Sequence, residues 1–391
     1  MGAKKIVLLV VIFVAALGIF QYGRPLSVIQ ATTAISPPKT TDAIDLQWPA
    51  YGQGALAAQG YGLLETHGQQ KAVPMASVTK VVTALAVLKQ KPLAIGQQGP
   101  SITITRDDEA IYNSYYTRGG SVVKVENGEQ LSEYQALQAL LIPSANNIAD
   151  TLVIWAFGSI ENYVTYANKM VSGLGLDNTK IADASGFSPQ TVSSAEDLAR
   201  LGLAAIDNSL LAAIVSQESV VLPVAGTVNN VNWLLGSDGV IGIKTGNTTE
   251  AGGCFLFAAK RIINGQNITM VGALMQAPDL NTAVKDARTI VVASDSGFES
   301  VKVASKGQTV GTYKTSWGTT TDAVAGQELS VLVWRGSQIQ VATKLNKIEP
   351  PAKAGASAGS ITVTSSQKNS SASVILKSNL AGPSWTWRIF R

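Results

Sequence analysis

Histidine and cysteine are nearly missing from this 391-residue sequence, which holds one of each, His67 and Cys254. A lone cysteine can neither close an internal disulfide nor build a multi-cysteine metal site. It lies in the apolar run Cys254-Phe255-Leu256-Phe257, which predicts a small buried hydrophobe. His67, in the polar stretch Glu65-Thr66-His67-Gly68, reads as an exposed turn residue and not as a base. A hydrolase of this composition must work without a histidine base, and neither a metal nor a cofactor is expected. An excess of one charge is missing too. Lys and Arg number 30 against 26 Asp and Glu, a net +4 with no basic cluster, so no nucleic-acid partner is expected. Hydrophobic residues at 46% against charged residues at 14% exclude a disordered chain and supply a sizeable core.

The length allows two domains. Two lysines, Lys4 and Lys5, precede an apolar run from Ile6 to Phe20, which orients the chain for export. The run reaches the upper end of a signal-peptide core and falls short of the about 20 residues of a spanning helix. Thr32-Thr33-Ala34 is a poor small-x-small cleavage site, so residues 1–23 are expected to be an uncleaved anchor, with a cleaved signal the alternative. That places the protein at the extracytoplasmic face of the cell membrane. Ser, Thr and Pro enrich residues 24–48, which read as a tether. The main domain is expected over 49–297. Helical periodicity marks 77–90, 131–141, 145–157, 161–173 and 194–207; strand patterns mark 53–57, 61–66, 239–245, 253–260 and 267–276. Strands at both ends with helices between them predict an α/β domain whose first and last strands share a sheet. Short β-rich runs between Gly, Ser and Pro turns predict a small all-β domain over 298–383, with 384–391 a short aromatic and basic tail.

Three short motifs carry chemistry. Ser77-Val78-Thr79-Lys80 opens the first helix, and residues three apart on a helix are neighbours, so the hydroxyl and the amine can meet. A lysine desolvated near other cations loses its proton readily and can then deprotonate a serine. The pattern alone is weak, since a helix-capping serine with an exposed lysine also satisfies it. Ser365-Ser366-Gln367-Lys368 fits it too, in a polar stretch without an apolar helix. Ser144-Ala145-Asn146 precedes a helical run; Ser144 could relay a proton and Asn146 hold a substrate amide, although both are ordinary capping residues. Lys244-Thr245-Gly246 ends a strand, where a lysine and a threonine can grip a carboxylate and a glycine admits a close backbone. Together and in this order, the three make the set shared by penicillin-binding proteins and class A β-lactamases.

The chain thereby resembles the low-molecular-mass penicillin-binding proteins, the D-alanyl-D-alanine carboxypeptidases of peptidase family S11. Pro74 to Lys80, Ile243 to Thr248 with Ala251-Gly252, Asp183-Ala184-Ser185-Gly186-Phe187 and Ser194 to Leu198 are similar to family segments, as is the tail from Pro351 to Phe390. The resemblance implies a β-lactamase/transpeptidase-like domain, an antiparallel sheet flanked by helices, followed by a small all-β domain. It implies Ser77 as nucleophile, Lys80 as its base and Ser144 as proton donor to the leaving amine. Asn146 would position the peptide, Lys244 and Thr245 would bind the terminal carboxylate, Gly246 would admit the substrate backbone, and the N–H groups of Ser77 and Asn247 would form the oxyanion hole. The implied partners are peptidoglycan stem peptides ending in D-Ala-D-Ala, β-lactams as acylating inhibitors, and the membrane surface. Relatives often carry an aromatic residue or histidine where Asn247 stands, and their tails continue beyond the position of Arg391 as an anchor helix. The alternatives are a D,D-endopeptidase, a β-lactamase, for which no Glu-x-x-Leu-Asn is present, and a wall-binding or β-lactam-sensing module without turnover.

Overall fold

The computed structural model describes residues 2–33, 35–365 and 368–391. The triplet ending at Ala34 and the second Ser-x-x-Lys, with Ser366 and Gln367, therefore lie partly outside the described residues. The chain divides into two compact units, Ile44–Phe298, and Met1–Ala43 together with Glu299–Arg391.

The first unit is built on a five-stranded antiparallel sheet in the order Val240–Thr248, Gly252–Ile263, Gln266–Ala277, Gln53–Ala58, Gly62–His67. Its first strand thus lies beside its last. Gly252–Ile263 and Gln266–Ala277 are joined by the two-residue turn Asn264-Gly265, both at positive φ, as a right-twisted hairpin demands. Both strands are buried over long stretches without polar alternation, which requires cover on both faces. Helices Thr79–Gln90, Glu133–Leu141, Asn146–Phe157 and Ile160–Gly173 pack on one another through Val82, Val87, Leu137, Ile148, Leu152 and Tyr163.

Three helices had no counterpart in the periodicity. Arg106–Thr117 buries only Tyr115 and is set by a capping box, Thr105 with Asp108. Ser209–Val215 is short and capped by Asn208. Leu280–Ala293 follows Asp279, whose carboxylate accepts from Thr282 N, and buries Ala283, Val284, Ala287, Ile290 and Val291. Cys254 is fully buried, and burial pushes its thiol up to about 12. His67 ends a strand and stacks on Trp48 at 5.8 Å between ring centroids.

The second unit is all-β apart from its terminal helices. Its main sheet runs Thr32–Thr33, Thr309–Lys314, Thr320–Ala325, Lys368–Leu376, Ser357–Ser365, Gln340–Leu345, around a core that includes Val310, Tyr313, Ile361, Val363 and Val374. Part of the expected tether is built into it. Thr32–Thr33 pairs with Thr312 and Gly311, Ile29 bridges Ile348, and Ile29 is buried. Ile29, with Ala31 and Ile35 packed against the same core, supplies that contact. The N-terminal helix, Ala3–Gly23, has a mean hydropathy of 2.5 and none of it is buried. Its 21 residues rise about 31 Å at 1.5 Å each, enough to cross a hydrocarbon core of about 30 Å. The tail helix Trp385–Phe390 meets its end, with Arg388 Nη1 donating to Tyr22 O at 3.0 Å and Arg391 Nη2 to Arg24 O at 2.6 Å.

Helix Ala195–Asp207 approaches the sheet at Gly202, where a Cβ would come 2.5 Å from Val271 Cγ1, 2.9 Å from Leu256 Cδ1 and 3.2 Å from Ile243 Cδ1. Alanine would gain about 1 kcal/mol of helix propensity, but overpacking a core costs about 1–3 kcal/mol. With three apolar tips obliged to yield, Gly202→Ala is expected to lower the urea midpoint. An unchanged or higher midpoint would mean that the sheet adapts freely.

Candidate active site

Ser77 sits in a short 3-10 turn, Ala76–Val78, that leads directly into helix Thr79–Gln90. Val78, Val81, Val82 and Val87 dock this element on the core, so Lys80, one turn on, is carried inside with them. Lys80 has no exposed surface. Its Nζ stands 2.8 Å from Ser77 Oγ, 2.7 Å from Asn146 Oδ1 and 2.8 Å from the carbonyl oxygen of Ser185. Burial pushes its pKa well down, and the positive charge of Lys244 pushes the same way; Asp183 and Asp150 oppose them. A neutral amine has two hydrogens and one lone pair. Two carbonyl oxygens take the hydrogens, and the lone pair is left facing the Ser77 hydroxyl. That arrangement can remove the serine proton.

The Ser185 carbonyl is presented by a loop folded around one carboxylate. Asp183 Oδ2 accepts from Ser185 Oγ at 2.8 Å and from Phe187 N at 2.9 Å, and Oδ1 accepts from Thr191 Oγ1 at 2.5 Å. Gly186, at φ 75°, lies so close to the Ala76–Val78 turn that a Cβ would meet Ala76 O at 1.8 Å. Gly246 does the same from the strand Val240–Thr248, where a Cβ would lie 3.0 Å from Ser77 N.

Of the residues expected at the site, Ser77, Asn146 and Asn247 line one cleft of about 360 Å³, with Arg118, Gly119, Gly120, Ser121, Gly186, Phe187, Thr248, Thr249 and Glu250. Lys244 and Thr245 are adjacent but buried, 2% and 3% exposed. Lys244 Nζ donates to Thr245 O at 3.0 Å, and burial lowers its pKa to about 7. Ser144 is 4% exposed at φ 68°, and Asn146, not Ser144, is the member of its motif that touches Lys80.

Sequence reasoning passed over Asp150, Tyr115 and Arg118. Asp150 stands 8% exposed in the largely apolar helix Asn146–Phe157, and Tyr115 Oη donates to its Oδ2 at 3.0 Å. A carboxylate among Ile148, Ala149, Leu152 and Val153 was the available signal; the Gly119-Gly120 pair marked the loop beside Arg118.

The model of the D-alanyl-D-alanine carboxypeptidase family, peptidase S11, matches residues 58–278. The chain belongs to that family. It is 26% identical over 348 residues to the D-alanyl-D-alanine carboxypeptidase DacC of Escherichia coli (strain K12), covering 85% of this chain and 83% of that one. It is 29% identical over 260 residues to a D-alanyl-D-alanine endopeptidase of Pseudomonas aeruginosa, covering 63% and 78%. Penicillin-binding protein 5 from Haemophilus influenzae shares the fold, with a TM-score of 0.60 at 21% identity over 89% of this chain and all of that one.

Desolvation raises the Asp150 pKa to about 6, with Asp183 adding to the rise and Tyr115, Lys80 and Arg118 opposing it. Since about 3.9 is the unfolded value, folding favours the protonated acid. The stability that protonation confers is complete below pH ~4 and is lost as pH rises through 6, by about 3 kcal/mol for a shift of about two units. Asp150→Asn keeps an acceptor for Tyr115 and has no proton to lose. Thermal unfolding between pH 4 and 8 should therefore fall less steeply in this variant, and parallel curves would refute the assignment.

Proposed function

We propose that Ser77 and Lys80 form the catalytic pair of this serine D-Ala-D-Ala carboxypeptidase, which removes the terminal D-alanine from peptidoglycan stem peptides. The observation that carries the reading is the contact of the Ser77 hydroxyl with a buried amine whose other two partners are carbonyl oxygens. In this reading Ser77 Oγ attacks the penultimate D-Ala carbonyl while its proton passes to Lys80. The N–H groups of Ser77 and Asn247 hold the oxyanion, where one lost donor typically costs about 3 kcal/mol. The C–N bond then breaks, Ser144 helps to protonate the leaving amine, and D-alanine departs. Water attacks the ester left on Ser77 and regenerates the serine. Asn146 orients Lys80 and meets the peptide at the cleft wall. Lys244 and Thr245 bind the terminal carboxylate, whose charge would draw the Lys244 pKa back up from about 7. Gly246 keeps that strand close to Ser77. β-Lactams would acylate the same serine.

The N-terminal helix is read as a retained anchor that leaves the enzyme at the extracytoplasmic face. A second reading, D,D-endopeptidase, has support in the names of two relatives, from Pseudomonas aeruginosa and Escherichia coli. A carboxypeptidase needs a free C-terminal carboxylate; an endopeptidase does not.

Incubation with a pentapeptide ending in D-Ala-D-Ala should release D-alanine, and Ser77→Ala should abolish both release and covalent penicillin labelling. Lys244→Ala should cost about ten- to a hundred-fold in kcat/KM, the worth of a charge-assisted contact of about 1.5–3 kcal/mol. Amidating the terminal carboxylate should cost the wild type a similar factor and the variant almost nothing more. Equal amide penalties in both enzymes would place the carboxylate elsewhere and move the endopeptidase reading ahead.

A further inference from the structure

Arg118 has no part in the chemistry above, yet it lines the cleft with Ser77 and Asn146. Among the described residues that line the cleft it is the only cation, and Glu250 is the only carboxylate. It follows helix Arg106–Thr117 and opens the loop Gly119-Gly120-Ser121. A cation at a helix C-terminus serves the helix dipole and needs no further support. This one is held much more firmly. Its guanidinium carbon stands 4.9 Å from the centroid of the Tyr115 ring and 5.0 Å from that of Phe187. Nε donates to Ser114 O at 2.9 Å and Nη2 to Ser114 Oγ at 3.2 Å. Phe187 comes from the loop that supplies the Ser185 carbonyl to Lys80, so the catalytic loop also helps to fix the guanidinium. Neither Nη1 nor the second hydrogen of Nη2 has a hydrogen-bond partner among the described residues.

A planar guanidinium fixed in advance, with parallel donors to spare, suits a carboxylate and loses little entropy in binding one. The terminal carboxylate of the substrate is assigned to Lys244 and Thr245 on the strand Val240–Thr248. Arg118 lies off that strand, on the loop Gly119-Gly120-Ser121 and against Phe187. We propose that Arg118 is a specificity-determining residue that grips a carboxylate on the acyl-donor side of the scissile bond, so that the preferred substrate is an acidic stem peptide. Glu250 repels the same anion and so confines it to the Arg118 side. The inference rests on the carboxypeptidase reading.

The test uses the full-length protein in detergent and acetylated peptides that end in D-Ala-D-Ala, with glutamate placed one, two or three residues before that dipeptide. Each is paired with its glutamine counterpart. The wild type should favour glutamate by about tenfold in kcat/KM at one position at least, chiefly through KM. Arg118→Gln should bring the pair level, and Arg118→Lys, which keeps the charge and loses the planar fork, should retain part of the preference. No glutamate preference at any position, or a preference that survives in Arg118→Gln, overturns the proposal. So does an Arg118→Gln penalty that disappears when the terminal carboxylate is amidated, because the residue would then hold the end of the peptide. The same peptides also compete with penicillin for Ser77, a readout that needs no turnover. Glutamate-dependent competition without D-alanine release would sink the carboxypeptidase reading and leave Arg118 standing; release without the preference would sink Arg118 alone.

Discussion

A primary amine with no exposed surface governs the catalytic unit. A lone ammonium in the interior would cost several kcal/mol, so Lys80 either finds partners or gives up its proton. The structure supplies the partners, and burial with the charge of Lys244 pushes the Lys80 pKa well down. Three oxygens surround Nζ, and they come from three places in the chain: the Ser77 turn, the start of helix Asn146–Phe157, and the loop at 185. Satisfying one side chain therefore requires three segments to converge. Other buried polar groups on the surrounding helices are partnered too: Thr83 Oγ1 lies 2.7 Å from Tyr163 Oη and donates to Ala184 O at 2.7 Å.

The electrostatics of the core lean the same way without tipping over. Two lysines, Lys80 and Lys244, are buried near one another, and two acids, Asp150 and Asp183, press in the opposite direction. Were the acids to dominate, Lys80 would stay charged and could not accept the Ser77 proton. Asp183 acts on Lys80 through space, its oxygens being taken by the Ser185, Phe187 and Thr191 donors. Asp150 is held back by desolvation, which favours its neutral form.

What could be seen in advance follows from how local the cause is. Ser77 and Lys80 are three residues apart on a helix, so their meeting is written in the spacing. The central strands announce themselves as apolar runs between Gly-bearing turns. By contrast, Arg106–Thr117 buries one residue and carries its signal in a cap, which hydrophobic periodicity does not register. The Ser185 carbonyl is a backbone group, and nothing in a side-chain pattern marks a carbonyl as a ligand. Asp150 and Tyr115 lie 35 residues apart, and only the packing of their two helices makes them a pair. The strand within the expected tether was hidden for a related reason: a Ser, Thr and Pro composition describes average stiffness, not the few apolar residues, Ile29 foremost, that find a core.

The backbone around Ser77 and Ser144 bears a further cost that the packing must offset. Ala76, one residue before the nucleophile, has φ 47°, and Ser144 has φ 68°, conformations that non-glycine residues adopt at about 1–3 kcal/mol each. Such strain persists only where the surroundings leave no alternative. Around Ala76 they do not, since Gly186 and Gly246 bring two backbones to distances at which a single added carbon would collide with the turn or crowd it. The turn is gripped from both sides before any substrate arrives, so the Ser77 hydroxyl is aimed by the fold and not by its ligand. Preorganisation of this kind is what the proposed Ser77–Lys80 pair would require: an amine held in one place needs no imidazole to find the proton.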